Sequence, residues 1–190
     1  MNKSKNMSDH ADAALKYRPK KIKCLFIAES PPAYKSDDKK SYFYFENNPG
    51  HDILFATLIF ALYDKKYRKA DRNKAELLID FQNDGFWLMD VVEYPINRLN
   101  GKKTNSKKRE QIIREHIPDF FTRLNSLKKE NIFTSSSGII IIKKLNYEIL
   151  GPMLIEHGFT VFNETKIDFP KYYWDIDTVK GVRLAREKIK

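Results

Sequence analysis

Hydrophobic and polar positions along the chain alternate between short apolar runs and longer segments with helical spacing. Four apolar runs predict buried strands, at residues 23–28, 86–93, 131–134 and 159–162. Between and after them, helical spacing predicts helices at residues 51–63, 75–82, 110–127 and 135–150, and a terminal helix from about residue 177. Short apolar runs are typical of strands covered on both faces, whereas longer periodic segments are typical of helices.

This alternation of strands and helices predicts an α/β fold. We expect a three-layer α/β/α sandwich around a mainly parallel sheet of roughly four strands. Residues 1–20 are polar and basic and predict a flexible basic tail, which leaves residues 21–190 as a single domain. Ligands of such folds bind at the carboxyl ends of the strands, so the residues after Ala28, Asp90, Thr134 and Phe162 are the first places to search for function.

The charge of the chain favours a polyanionic partner. Lys and Arg number 35 against 25 Asp and Glu, a net charge of +10, which suits DNA, although a Lys-rich surface can also serve solubility alone. The single cysteine, Cys24, lies inside the first apolar run, so no disulfide or cysteine cluster is expected, and we predict neither a cofactor nor a metal. The chain has neither an apolar stretch of membrane-spanning length nor an apolar signal-peptide centre near its start, so we expect a cytoplasmic protein without a membrane partner. The oligomeric state is open, with a monomer favoured.

Short motifs follow the predicted strands in a fixed order. They are Glu29-Ser30-Pro31-Pro32, the aromatic run Tyr42–Phe45 before Pro49-Gly50, Asp90-Val91-Val92-Glu93, and Phe169-Pro170-Lys171. In this order, and over most of the chain from Lys21 onward, they resemble the motifs of the uracil-DNA glycosylase superfamily. The closest match in motif order is the iron–sulphur branch, which has Gly-Glu-Ala-Pro-Gly, Pro-Phe-Val-Gly, Asn-Val-Val-Lys and His-Pro-Ser at these places. The cysteines of that branch are missing, so no iron–sulphur cluster is expected here.

The resemblance implies a DNA glycosylase that hydrolyses the N-glycosidic bond of a flipped pyrimidine, including a modified or damaged one, without a metal. A carboxylate near the sugar can stabilise the developing cation or orient a water, and Glu29 is the candidate. A flipped base needs an aromatic platform, for which Phe45 is the first candidate and Phe43 the alternate. Phe169 and Pro170 are the candidates for the last base-binding motif. Capping a loop amide is the alternative role for Glu29, and core packing is the alternative for most of the aromatic run.

Two departures from the family pattern concern the base. Asp90 stands where the branch has the asparagine that reads the base edge, so it is a candidate for both catalysis and base binding. An ionised aspartate only accepts hydrogen bonds, which predicts a base with an amine, such as cytosine or a modified cytosine, and poor excision of uracil. A protonated Asp90 could also donate to the ring nitrogen, and capping a loop is its alternative role. Phe169 replaces the histidine that stabilises the leaving base in the family, and Lys171 is the candidate substitute donor.

Further residues are candidates for contacts with the DNA backbone. Ser136 and Ser137 open a predicted helix, whose first amides can hold a phosphate, although such serines can also serve only as N-caps. Basic side chains are dense in the segments 65–74 and 98–109, and we single out Lys102, Lys103 and Lys107. Lys171 is a further candidate for a backbone contact.

Two alternative functions stay open. A non-catalytic nucleic-acid or nucleobase-binding module of the same fold would keep the base site without the chemistry. A metal-dependent nuclease would use carboxylates such as Asp90, Glu93 and Asp168, and it ranks last because no lysine follows Glu93 at the spacing of many nuclease cores.

Overall fold

The structure is a computed structural model. It describes residues 3–33, 41–47, 52–68, 70, 73–99 and 101–189, with only the backbone for residues 3–8. Pro49 and Gly50, which close the predicted aromatic motif, lie outside these ranges. The helices are α1 (Lys3–Lys16), α2 (Ile53–Tyr63), α3 (Lys74–Asn83), α4 (Ser106–Glu115), α5 (Ile117–Lys129), α6 (Lys144–Glu156) and α7 (Ile176–Arg186). The strands are β1 (Ile22–Ala28), β2 (Phe86–Asp90), β3 (Arg98–Leu99), β4 (Lys102–Lys103) and β5 (Phe133–Ile141).

A parallel three-stranded sheet forms the centre of the fold, and helices flank it. The strand order is β2-β1-β5, and both neighbours run parallel to β1. The side chains of β2 are all buried, and those of β1 are buried except at Lys23. This burial is typical of a parallel sheet covered on both faces. The predicted α/β class is therefore confirmed.

The sheet has three strands where we predicted roughly four. The predicted fourth strand at residues 159–162 is reduced to one isolated parallel bridge, between Ile139 and Val161, and a second isolated bridge joins Ile142 to Ile167 further along the chain. The segment that contains Phe162 packs closely against β5 because residue 138 is a glycine. A Cβ at Gly138 would lie 2.1 Å from Cζ of Phe162. The ring of Phe162 therefore occupies the space beside β5.

The third strand is longer than predicted and takes in the serines assigned to a helix. β5 runs from Phe133 to Ile141, and its register against β1 shifts between the pairs Ile22–Phe133 and Cys24–Gly138. The shift places Thr134–Ser137 in an irregularity of the strand. The following helix α6 begins only at Lys144. The prediction that residues 135–138 open a helix is wrong because the apolar run from Ile139 to Ile142 completes a strand.

The amino-terminal segment also differs from its prediction. The structure describes α1 where a flexible tail was expected, and Tyr17 after it is buried. Trp87 Nε1 donates to the carbonyl of Ala14 at 3.1 Å, and Gln82 Nε2 donates to that of Arg18 at 3.0 Å. The amino-terminal segment is thus held against β2 and α3 by tertiary contacts. Its own sequence is only weakly apolar, so it did not predict an ordered helix.

The predicted helix at residues 110–127 is two helices. α4 ends at Glu115 and α5 begins at Ile117, with Pro118 in the first turn of α5, where a proline is well tolerated. Within the part of the chain that the structure describes, no helix has both the length and the apolar character to cross a membrane.

Candidate functional site

The carboxyl ends of the three parallel strands bring charged side chains together. Ala28 pairs with Asp90 across β1 and β2, and Ile27 pairs with Ile141 across β1 and β5. β1 is the central strand, and Glu29 follows its last residue. Asp90, at the end of β2, therefore lies on one side of Glu29, and Lys143, just after β5, lies on the other side. The strand order therefore places a carboxyl group and an ammonium group on either side of Glu29.

A cavity of about 480 Å³ opens at these strand ends. This volume falls within the range of roughly 300–1,000 Å³ usual for ligand pockets. Polar side chains from several elements line it, and apolar groups complete its walls. The lining side chains used below are Glu29, Tyr42, Asp90, Asn97, Arg109, Lys143 and Phe169.

Glu29 is held by two cations in this cavity. Arg109 contacts it in a bidentate arrangement, with Nε 2.8 Å from Oε1 and Nη2 3.1 Å from Oε2. The Nζ of Lys143 contacts Oε2 from the other side. Burial raises the pKa of Glu29 above its ordinary value, and the charge and hydrogen bonds of Arg109 oppose that rise. A raised pKa suits a carboxylate that takes a proton from water, whereas the two cations compete for the same oxygens.

Asp90 is a buried carboxyl group, 7% exposed. Burial raises its pKa to about 7, although Arg123 and a hydrogen bond with the side chain of Tyr42 lower it. The charges of Glu29 and Glu93 raise it further. Its buried Oδ2 finds no hydrogen-bond partner among the described residues. Near neutral pH, Asp90 is therefore poised between a form that only accepts hydrogen bonds and one that also donates.

Arg123 of α5 positions the strand end that carries Asp90. Its Nη2 donates to the carbonyls of Asp90 and Val91, at 3.0 and 2.7 Å. A smaller cavity of about 260 Å³ lies on this side, lined by residues of α1, β2 and α5. Tyr42 and Asp90 line both cavities.

The structure corrects the predicted aromatic platform. Phe43 is buried and packs on Phe55 and Phe81, with ring centroids 5.3 and 5.4 Å away, so it belongs to the core even though it reaches the cavity wall. Phe45 does not line the cavity. Its ring stacks on His10 at 5.5 Å and lies 5.3 Å from Tyr42. Tyr42 lines the cavity together with Phe43, and its side chain hydrogen-bonds to Asp90. The sequence prediction did not single out Tyr42 because nothing in the run distinguishes it from the other three aromatic residues.

The last predicted motif is only partly at the site. Phe169 lines the cavity and is 46% exposed, which suits a ring at the rim. Pro170 is buried and Lys171 is exposed, and neither is among the described residues that line the cavity. The backbone N–H of Lys171 donates to Asp175, the residue that caps α7. Lys171 as the substitute donor is thus not supported by its position.

The serines predicted to bind a phosphate lie in a different element from the one expected. Ser136 and Ser137 lie in β5 and not at a helix start, and the Oγ of the buried Ser137 accepts from Thr134 N at 2.8 Å and donates to the carbonyl of Ile22. Their assignment to a helix N-terminus is wrong.

The lysines predicted to contact the DNA backbone are exposed. Lys102 and Lys103 form β4 of a small hairpin, Lys107 lies in the first turn of α4, and all three are exposed. Asn97, before the hairpin, and Arg109, after it, both line the cavity. The three lysines therefore lie between two cavity residues along the chain. Their contact with DNA stays a prediction. In the other basic segment, Lys69, Asp71 and Arg72 lie outside the described residues.

Arg109 and Lys143, the two cations that contact Glu29, were not singled out from the sequence. Arg109 was grouped with a basic loop, and Lys143 was placed inside a helix. Glu29 is 80 positions from Arg109 and 114 from Lys143 along the chain, so no local pattern linked them. Asp168, one of the carboxylates of the nuclease alternative, is exposed and lies outside both cavity linings.

A buried ion pair supports the wall of the cavity that carries Tyr42. Lys74 Nζ lies 2.7 Å from Asp52 Oδ2 and donates to the carbonyl of Tyr42 at 3.0 Å. Asp52 also caps α2 by accepting from Phe55 N at 3.1 Å. Burial lowers the pKa of Lys74, and the charge and hydrogen bond of Asp52 oppose that effect. The pair therefore ties α3 to the start of α2 and to the aromatic run.

We expect Lys74→Met to lower the free energy of unfolding by about 3–5 kcal/mol, because it leaves Asp52 charged and buried without its cation. Urea unfolding followed by circular dichroism measures the loss. Lys65→Met is the matched control, since Lys65 pairs with Asp80 at the surface, with side chains 56% and 46% exposed. A surface pair contributes only about 0–1 kcal/mol, so equal losses in the two variants would contradict this role of Lys74.

Comparison with known proteins finds no matching family model, no matching curated protein and no matching solved structure. The fold and the site thus define the class of the protein as an α/β protein with a charged cavity at the carboxyl ends of a parallel sheet.

Proposed function

We propose that the chain is a DNA glycosylase-type hydrolase that takes a flipped pyrimidine into the cavity at the strand ends. The observation that carries the proposal is that Glu29 and Asp90, at the carboxyl ends of adjacent strands, line one cavity large enough for a nucleobase with its sugar. Tyr42 and Phe169 supply aromatic walls in the same cavity. Aromatic contact is worth about 1–3 kcal/mol for each stacked base, which helps offset the cost of taking the base out of the duplex.

The two carboxyl groups have different roles in this proposal. Cleavage of the N-glycosidic bond leaves positive charge on the sugar and negative charge on the base. Glu29 stabilises the sugar cation and accepts a proton from the attacking water. Asp90, whose pKa is about 7, hydrogen-bonds to the edge of the base. Arg109 keeps Glu29 in place through both of its oxygens.

One observation favours a second candidate, a binding module without chemistry. Both oxygens of Glu29 already accept from cations, which lowers the capacity of this carboxylate to take a proton. A module of this kind would hold a nucleobase between Tyr42, Asp90 and Phe169 and release it unchanged.

A panel of oligonucleotides separates the candidates. Each carries one altered pyrimidine and is incubated with the protein in EDTA, and mass spectrometry detects the released base. We expect release of at least one pyrimidine, with an alkali-labile abasic site left in the strand. Binding in a gel-shift assay without release of any base would favour the module, and strand cleavage without alkali would contradict both candidates.

A further inference from the structure

Lys143 combines an unusual backbone conformation with a side chain in the functional cavity. Its φ is +80° and its ψ is 125°, in a region that glycine adopts easily and other residues rarely do. Its N–H donates to the carbonyl of Ile167 at 2.8 Å, and its own carbonyl accepts from Tyr147 at 3.1 Å. The fold therefore holds a lysine where a glycine would be less strained. Strain of this kind is found at functional sites, where the rest of the structure maintains it.

The contacts of Glu29 show which of its cations can move. Arg109 binds both oxygens through a planar guanidinium group, which fixes the carboxylate. Lys143 shares only Oε2, through a flexible side chain that is 20% exposed. When Lys143 turns to another acceptor in the cavity, Arg109 keeps Glu29 in position. Oε2 is then left with a single cation contact, from Nη2 of Arg109, and has a lone pair that can accept a proton.

The acceptor is defined by the geometry of a pyrimidine. Its oxygen at position 2 lies on the carbon next to the glycosidic nitrogen, so it faces the region of the sugar. Lys143 contacts the carboxylate that we place at the sugar, whereas Asp90 lies on the other side of Glu29. An ammonium group at this point meets the oxygen on which negative charge develops as the bond breaks.

We propose that Lys143 is a catalytic residue that donates a hydrogen bond to the departing base, an assignment that rests on the proposed glycosylase function. Water attacks the anomeric carbon and its proton passes to Glu29. The bond to the ring nitrogen breaks, and its electron pair leaves with the base. Lys143 stabilises the resulting anion, which takes a proton from solvent after release. The same movement relieves Glu29 of one cation at the moment when it acts as a base.

Lys143→Gly tests this role, because it removes the ammonium group and also relieves the backbone. We expect a fall in single-turnover base release of about 10²- to 10³-fold, the usual effect of losing one donor to a developing oxyanion. We expect the midpoint of thermal unfolding to stay the same or rise. Lys143→Gln is the second variant, and Lys144→Ala, at the exposed neighbouring position, is the matched control, with wild-type release.

The decisive measurement varies the leaving base. The released pyrimidine is prepared with 5-substituents that make its ring nitrogen more acidic, and each variant is compared with the wild type on every base. A group that stabilises the anion matters most for the least acidic base, so the deficit of Lys143→Gly and Lys143→Gln should shrink as acidity rises. An equal deficit on all bases, or none, overturns the assignment of Lys143 while the glycosylase function stands. Failure of the wild type to release any base overturns both.

Discussion

Glu29→Gln is expected to lower the rate of base release by about 10²- to 10⁴-fold, the usual contribution of a general base. Glutamine keeps the shape of the side chain but neither accepts a proton from water nor stabilises a cation at the sugar. Burial raises the pKa of Glu29, and this makes it a stronger base than an ordinary surface carboxylate. Single-turnover release from the best oligonucleotide of the panel measures the effect.

The control for Glu29→Gln is Glu110→Gln, which removes a carboxylate that pairs with Arg114 within α4. It should release the base at the wild-type rate. Thermal unfolding of both variants checks that the fold is kept, since Arg109 and Lys143 lose their shared partner in Glu29→Gln. Wild-type release by a folded Glu29→Gln protein would show that Glu29 only orders the two cations.

Asp90→Asn is expected to reverse the preference between amino-bearing pyrimidines and uracil. An asparagine both donates and accepts, which matches the edge of uracil, whereas an ionised aspartate accepts from an amine. A good pair of hydrogen bonds discriminates between bases by about 1–3 kcal/mol. Because one base loses its pair and the other gains one, the ratio of their release rates should change by about 10²- to 10⁴-fold. Competition between two labelled oligonucleotides measures this ratio directly.

The wild-type preference should also depend on pH, because the pKa of Asp90 is about 7. Above that pH, Asp90 is ionised and accepts from an amine, so release of amino-bearing bases should rise with pH. Below it, the protonated group can donate, so release of uracil should rise as pH falls. Asp90→Asn should lose this dependence.

Glu93→Gln is the control for Asp90→Asn, because Glu93 pairs with the same Arg123 and is half exposed. The charge of Glu93 raises the pKa of Asp90, so the comparison is made at pH 8, where Asp90 is ionised with or without Glu93, and there the variant should keep the wild-type preference. Efficient release of uracil by the wild type at pH 8, with amino-bearing bases ignored, would refute this role of Asp90.

Local sequence was sufficient for the parts of the site that follow directly from strands. The apolar runs that became β1 and β2 end at Ala28 and Asp90, so Glu29 and Asp90 were correctly expected at the carboxyl ends of parallel strands. Periodicity is a local property, and it shows where a buried strand stops. Whether these two residues act on DNA is still a prediction.

The remainder of the site was decided by tertiary structure. Periodicity does not show which rings of a four-residue aromatic run face a cavity. Tertiary packing places Tyr42 and Phe43 in the cavity wall and turns Phe45, the first candidate, onto His10. The apolar run of β5 could have been a helix until its pairing with β1 was known, and that pairing moved the serines out of their predicted site.

Sequence by itself determined an α/β protein with two carboxyl groups at strand ends, because those features depend on neighbouring residues. Tertiary structure decided which cations meet Glu29, and it placed Lys143 in a strained conformation at the end of β5. The physical reason is that an ion pair depends on a distance between elements. That distance is set by strand order and helix packing, which no single segment of the chain contains.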